Sequence, residues 1–145
     1  MRYGMDGSCH CGALQFRFET DKPPVALGLR ACSCGFCRRH GMRATSDSDG
    51  KLLFRVSEPE KLLRYQFGLA TADYLLCRGC GVYIGAVMAD PAGDRGTINV
   101  NCLEQPAAFG SEARSVSYDD EDEPARRARR RAVWTPTEVV HGGEG

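Results

Sequence analysis

Apolar and polar positions alternate with a period of two along much of the chain. In ALQFRFE (13–19), Leu14, Phe16 and Phe18 share one face, the pattern of a half-buried strand. VALGLRAC (25–32) repeats it with Val25, Leu27 and Leu29 and predicts a strand running into a cysteine cluster. KLLFRV (51–56) turns Leu52, Phe54 and Val56 inward, and KLLRYQF (61–67), TADYLLC (71–77) and RGTINVN (95–101) read as further strands. GVYIGAVM (81–88) is apolar almost throughout, which predicts a strand buried on both faces. Turn-forming residues separate these segments at DSDG (47–50), SEPE (57–60) and PAGD (91–94). About seven short strands at this spacing, with no long helical pattern between them, predict an all-β sandwich or barrel-like fold and exclude a parallel α/β sheet.

The pattern changes near the end of the chain. DEPARRARRRAVW (122–134) is the one convincing helix. Its acids lie at the N-terminal end and its arginines toward the C-terminal end, which suits the helix dipole. Asp122–Arg126 and Glu123–Arg127 have the spacing of stabilising pairs, and Pro124 fits a first turn. Trp134 is a candidate anchor of this helix on the sheet, and HGGEG (141–145) reads as a disordered end. The chain thus divides into a β domain over residues 1–118 and a charged helix and tail over 119–145, packed on the same domain.

A length of 145 residues suits one domain. Nineteen basic residues balance nineteen acidic ones, which argues against a protein built to grip phosphate backbones. The charge is nevertheless segregated into DDEDE (119–123) and RRARRR (126–131). Next to so many acids, the arginines read as a solvated helix face neutralised in place, and no nucleic-acid partner is expected. No apolar run approaches the ~20 residues that cross a bilayer, and MRYGMDGSCHCG at the N-terminus lacks the apolar stretch of a secretion signal. These features predict a cytoplasmic protein with no membrane partner.

Eight cysteines change the picture: Cys9, Cys11, Cys32, Cys34, Cys37, Cys77, Cys80 and Cys102. In a reducing compartment, clustered thiols point to metal or catalysis rather than to disulfides. The two side chains of a C-x-C pair on extended backbone point the same way, so both can reach one ion. CHCG (9–12) and CRGCG (77–81) together offer four thiols, and C-x-x-C followed by glycine is a zinc-knuckle turn. Four thiolates around zinc give a closed structural site, whose binding energy counts as folding energy. CSCGFC (32–37) offers three thiols, the number a catalytic zinc keeps while leaving one position open. Cys102, His10 and His40 are the candidates for a fourth ligand that would close it. Spacing alone also leaves open whether Cys9 and Cys11, or Cys32 and Cys34, join the C-x-x-C pair.

Three motifs in order, G-S-C-H-C-G, C-x-C-x-x-C-R-R-H-G and C-x-x-C-G, span about Gly7 to Leu103. They resemble the glutathione-dependent formaldehyde-activating enzyme family, which includes centromere protein V relatives. The resemblance implies an all-β, Mss4-like fold of short antiparallel strands with zinc-binding turns. It implies two zinc ions: a structural one on Cys9, Cys11, Cys77 and Cys80, and a catalytic one on Cys32, Cys34 and Cys37. It further implies a carbon–sulfur lyase that joins glutathione, as co-substrate, to formaldehyde as S-hydroxymethylglutathione. Ser33 stands between the first two site cysteines, where many relatives carry histidine.

Zinc with three thiolates has a formal charge of −1, which makes it a weak Lewis acid, ill suited to generating hydroxide. It suits a small-molecule thiol that gives up its proton and attacks an aldehyde carbon to form a hemithioacetal. The alternative is that the thiol displaces a loosely held zinc. Arg38 and Arg39 are candidates to offset the site's charge or to bind substrate carboxylates bidentately, and His40 to shuttle a proton. Cys102 reads as a buried apolar thiol rather than a ligand. Two other functions fit the same residues, a non-catalytic zinc module and a thiol or metal sensor.

Overall fold

In the computed structural model, which describes residues 1–142, eleven strands form one forked sheet. In chain order they are β1 (Tyr3–Ser8), β2 (Leu14–Thr20), β3 (Arg30–Cys32), β4 (Ala44–Thr45), β5 (Lys51–Val56), β6 (Leu62–Tyr65), β7 (Asp73–Cys77), β8 (Tyr83–Met88), β9 (Arg95–Asn99), β10 (Arg114–Val116) and β11 (Thr135–His141). Three α-helices accompany them among the described residues, besides short 3-10 turns: α1 (Pro24–Leu27), α2 (Gly35–His40) and α3 (Glu123–Val133). The all-β expectation holds, and six of the strands read from alternation are β2 and β5 to β9. Among the described residues no helix is long and apolar enough to cross a membrane.

The fork lies at β9. One of its edges pairs antiparallel with β8, from Gly85 opposite Ile98 to Met88 opposite Arg95. The other edge is shared between Thr135 and Pro136 of β11, at its start, and Ala44 and Thr45 of β4, at its end. One branch continues from β11 through β5 and β2 to β1, the second from β4 through β3 to β10, and the third from β8 through β7 to β6. β11 runs parallel to β5 and β10 parallel to β3; the remaining pairs are antiparallel.

The main core follows from the period-two pattern. Leu14, Phe16 and Phe18 of β2 stand opposite Val56, Phe54 and Leu52 of β5, all buried. Phe16 and Phe54 meet edge to face, with ring centroids 6.0 Å apart. Each such buried side chain contributes roughly 1.5–3 kcal/mol. All six residues of β8 are buried, as its continuous apolar run predicts. Ile84 and Val87 enter the main core, whereas Ala86 and Met88 meet Trp134 at the end of α3.

Four expectations need correction. Residues 25–32 are not one strand, because Pro24 opens the helical turn α1 and only Arg30–Cys32 is extended. The fixed φ of Pro24 suits a first helical position, and Gly28, at φ 69°, stops the turn where a side chain would be strained. In α3, Asp122 does not pair with Arg126; its carboxylate accepts the Ala125 N–H at 2.9 Å as an N-cap, and Arg126 turns to Glu121. The Glu123–Arg127 pair does form, at 3.0 Å. The arginines of α3 are also not a solvated face: Arg130 is 4% exposed. Lastly, the segment read as a disordered end begins with His141, the last residue of β11, while residues 143–145 lie outside the described residues.

Candidate metal centres and active site

Two turns bring the first thiol group together. Cys9 and Cys11 sit in the β1–β2 hairpin turn, Cys77 ends β7, and Cys80 follows in the β7–β8 turn. Their sulfurs all lie within 4.8 Å of one another. Cys9–Cys11 and Cys11–Cys77 are 3.8 and 3.6 Å apart. A tetrahedron with Zn–S near 2.3 Å has edges of about 3.8 Å, so the spacing fits zinc. Backbone donors support the sulfurs: Leu14 N–H donates to Cys9 Sγ and Gly79 N–H to Cys77 Sγ, each at 3.3 Å. Gly81 adopts φ 80°, which lets its N–H return to the Cys77 carbonyl at 2.8 Å. Burial, joined by the neighbouring thiols, pushes Cys9 up to about 12. Cys80 is also raised by burial, but hydrogen bonds from the Cys11 and Val82 backbone outweigh this and bring it down to about 6. Such a split marks thiols too close to ionise together without a cation.

The second group is built by β3 and α2. Cys32 ends β3, Cys34 caps α2, and Cys37 lies one turn into it, 6% exposed. The Cys37 N–H donates to Cys34 Sγ at 3.3 Å, so the thiol itself serves as the N-cap. The three sulfurs lie within 4.8 Å of one another, and among the described residues no fourth Cys, His, Asp or Glu joins them. His10 and His40 are exposed, and Cys102 instead points its thiol at the Tyr83 carbonyl, 3.6 Å away. Burial raises Cys102 to about 11. Within the trio, the hydrogen bond with Cys37 brings Cys32 down to about 6, and the same bond together with burial pushes Cys37 up. The donor set therefore suits a soft ion held by three thiolates.

Two cavities flank these cysteines. An inner one of about 60 Å³ touches Cys32 and Cys37, and an outer cleft of about 350 Å³ touches Cys32 and Cys34. Tyr74, Tyr118, Arg129 and Arg130 line both. Phe36 forms an aromatic wall with Tyr74 and Tyr83, at centroid distances of 5.2 and 4.8 Å. Arg38, Arg39 and His40 stand exposed on the last turn of α2 and line neither cavity. His40 rests on Phe36, with centroids 4.6 Å apart.

The arginines that do reach the cysteines come from α3 and β3. Arg126, Arg129 and Arg130 are spaced i, i+3 and i+4, one helix face, a signal present in the sequence. Glu121 accepts from both Arg126 and Arg129, with its nearest contacts at 3.3 and 2.7 Å, and Arg129 also covers the Tyr118 ring, 3.5 Å from its centroid. The segment between β10 and α3 is thereby fastened over the three cysteines. Removing this latch by Glu121→Gln is expected to lower stability by about 1–2 kcal/mol. The Arg129 hydrogen bond, followed by Arg126, holds the Glu121 carboxyl below its usual range. Its contribution is therefore present above the unfolded carboxyl pKa and lost as the pH falls through the lower folded value. Chemical denaturation at neutral and acid pH checks this, since the variant and the parent should differ only at the higher pH.

A family model described as glutathione-dependent formaldehyde-activating enzyme matches residues 4–118, which include both thiol groups. The chain belongs to this family. A crystal structure of a Rhodobacter sphaeroides protein is 34% identical, covering 77% of this chain and 100% of that one, with a TM-score of 0.56. Comparison with curated proteins gives no match. The all-β frame with cysteine-bearing turns agrees with the Mss4-like arrangement of the family. The matched segment ends at Tyr118, before α3, so the arginine face that closes the site lies outside it.

Proposed function

We propose that this protein is a zinc-dependent carbon–sulfur lyase, forming and cleaving the S-hydroxymethyl or related hemithioacetal adduct of glutathione, or a similar thiol, with an aldehyde such as formaldehyde. The observation that carries this reading is the convergence of three thiols, with no fourth ligand among the described residues, beside a cleft large enough for a thiol substrate. Cys9, Cys11, Cys77 and Cys80 would hold a structural zinc, and Cys32, Cys34 and Cys37 a catalytic one. Zinc at the second site would lower the pKa of an incoming thiol while leaving its sulfur nucleophilic.

The chain's own residues supply the rest. Cys32 and Cys37 fix the inner corners of the site from two different elements, and Cys34 faces the outer cleft. Arg129 and Arg130 oppose the negative charge that three thiolates bring. The aromatic wall excludes water from one side of the cysteines. Arg38, Arg39 and His40 would serve the rim of the site, away from the reacting atoms. In the reaction a sulfur–carbon bond forms, the carbonyl π pair moves to oxygen, and the thiol proton ends on that oxygen; cleavage reverses each change.

Exchange NMR on glutathione and formaldehyde tests this directly. Protein with both sites loaded should speed interconversion of free thiol and adduct over buffer. An unchanged exchange rate, with two zinc ions bound per chain, would remove the formaldehyde reaction from consideration.

A further inference from the structure

The inner cavity has a charge pattern that formaldehyde does not need. Its lining carries Arg30, Arg129 and Arg130 and the thiols of Cys32 and Cys37, with no Asp or Glu among the lining residues. Arg129 is neutralised by Glu121, which lies outside the cavity. Arg30 and Arg130 form no ion pair among the described residues. Arg130 is 4% exposed, and its Nε has no hydrogen-bond partner among the described residues. Its other nitrogens reach Thr71 Oγ1 at 2.7 Å and Tyr74 Oη at 3.4 Å, and the face of Trp134 lies 4.5 Å away. Arg30 is held by Ser46 Oγ at 2.9 Å, and Ser46 is anchored in turn on the Val133 carbonyl at 2.8 Å. A zinc centre on three thiolates, with its formal charge of −1, offsets one of these two cations, of which Arg130 is buried and Arg30 half-buried. The other stays unmatched, and a buried cation without an anion is costly, so the surplus is completed by a small anion from outside.

Size and position say where that anion sits on the substrate. A cavity of about 60 Å³ admits a group of only a few heavy atoms. The carboxylates of glutathione lie several bonds from its sulfur, on arms too large for this space. An aldehyde that carries its own carboxylate places the anion on the very carbon that bonds sulfur. The cavity touches Cys32 and Cys37, so such a group would lie beside the reacting carbon while the body of the thiol fills the outer cleft.

We infer that the inner cavity is a carboxylate subsite and that the aldehyde is a small oxo acid of the glyoxylate class. This rests on the lyase reading and narrows its substrate. The thiol adds to the aldehyde carbon as described above, and the carboxylate is unchanged. Two of the three cations come from α3, beyond the segment matched to the family.

The test has two readouts on zinc-loaded protein: glyoxylate binding by calorimetry, and acceleration of glutathione adduct exchange with glyoxylate, acetaldehyde and formaldehyde. Glyoxylate should bind without thiol present and should react faster than acetaldehyde. Arg30→Gln should weaken glyoxylate binding about tenfold and depress its exchange about tenfold more than that of formaldehyde, with partial recovery in Arg30→Lys. If Arg30→Gln does not fold, the parent protein's preference for glyoxylate over acetaldehyde still decides. Equal rates for the two, or equal losses with glyoxylate and formaldehyde in the variant, overturn the subsite while formaldehyde acceleration preserves the lyase reading. Arg30-dependent glyoxylate binding with no adduct accelerated overturns the lyase reading and, with it, the assignment of the anion to an aldehyde.

Discussion

Cys77→Ser protein is expected to lose the zinc of the four-cysteine centre and, with it, cooperative folding. Cys77 is 2% exposed at the end of β7, and its thiol lies 3.6 Å from Cys11, 66 residues earlier in the chain. That contact ties the β1–β2 hairpin to β7, on a different branch of the sheet. Structural zinc binding is worth roughly 10–16 kcal/mol in small domains, whereas a whole domain is stable by only about 5–15 kcal/mol. Losing even a large part of the first figure exhausts the second. Serine is no substitute, since its hydroxyl is not deprotonated by zinc at neutral pH and three thiols would remain crowded in a buried site. Circular dichroism on heating, with zinc counted on the same sample, measures this. A variant that melts with the parent and keeps two zinc ions would show that the four thiols are only buried side chains.

The second large effect has the opposite signature. Cys34→Ser should leave a folded protein with one zinc ion and no adduct exchange. Cys34 is half-buried, and its sulfur caps α2 by accepting the Cys37 N–H. Serine is among the best N-cap residues, so the helix start survives and stability should change by no more than about 1 kcal/mol. The ligand set falls from three thiolates to two, and a soft ion is no longer held. A non-catalytic zinc module predicts instead that this substitution unfolds the domain. Thermal melting and metal content on one preparation separate the two outcomes, and exchange NMR adds the activity.

Local sequence revealed the strands whose burial comes from one alternating face, and concealed those that depend on distant partners. β2 and β5 were legible because each carries three inward apolar residues in register with the other. β11 was not, because Pro136 near its start discourages a strand reading. It forms because β5 and β9 leave edges that it fills. α2 was hidden within a metal motif: its six residues are too few for periodicity, and its cap is a thiol. The 25–32 segment alternates like a strand, but two consecutive prolines at 23 and 24 favour the turn that forms.

The candidate site divides in the same way. Spacing marked each short cysteine motif, since ligands close in sequence reach one ion together, but it left open which C-x-C joins Cys77 and Cys80; the resemblance implied Cys9 and Cys11, and the structure brings those four together. The arginine wall could not be read from spacing, because it needs α3 laid against β8 with Trp134 wedged beneath it, and the segment bearing Tyr118 fastened by Glu121. The balance of DDEDE and RRARRR suggested mutual neutralisation in solvent. Only Glu121 and Glu123 of that acidic block pair with these arginines, while Arg131 pairs with Asp90 from another part of the chain. Among the described residues no carboxylate pairs with Arg130, which lines the cavity beside Cys32 and Cys37.

Cadmium NMR on protein with both centres exchanged from zinc tests the central claim, that the three-cysteine centre keeps a position for a substrate thiol. Two resonances are expected, one from four thiolates and one from three. Glutathione should move the three-thiolate resonance toward the four-thiolate one and leave the other in place. Two resonances that both ignore glutathione, or one already characteristic of four ligands at Cys32, Cys34 and Cys37, would contradict it.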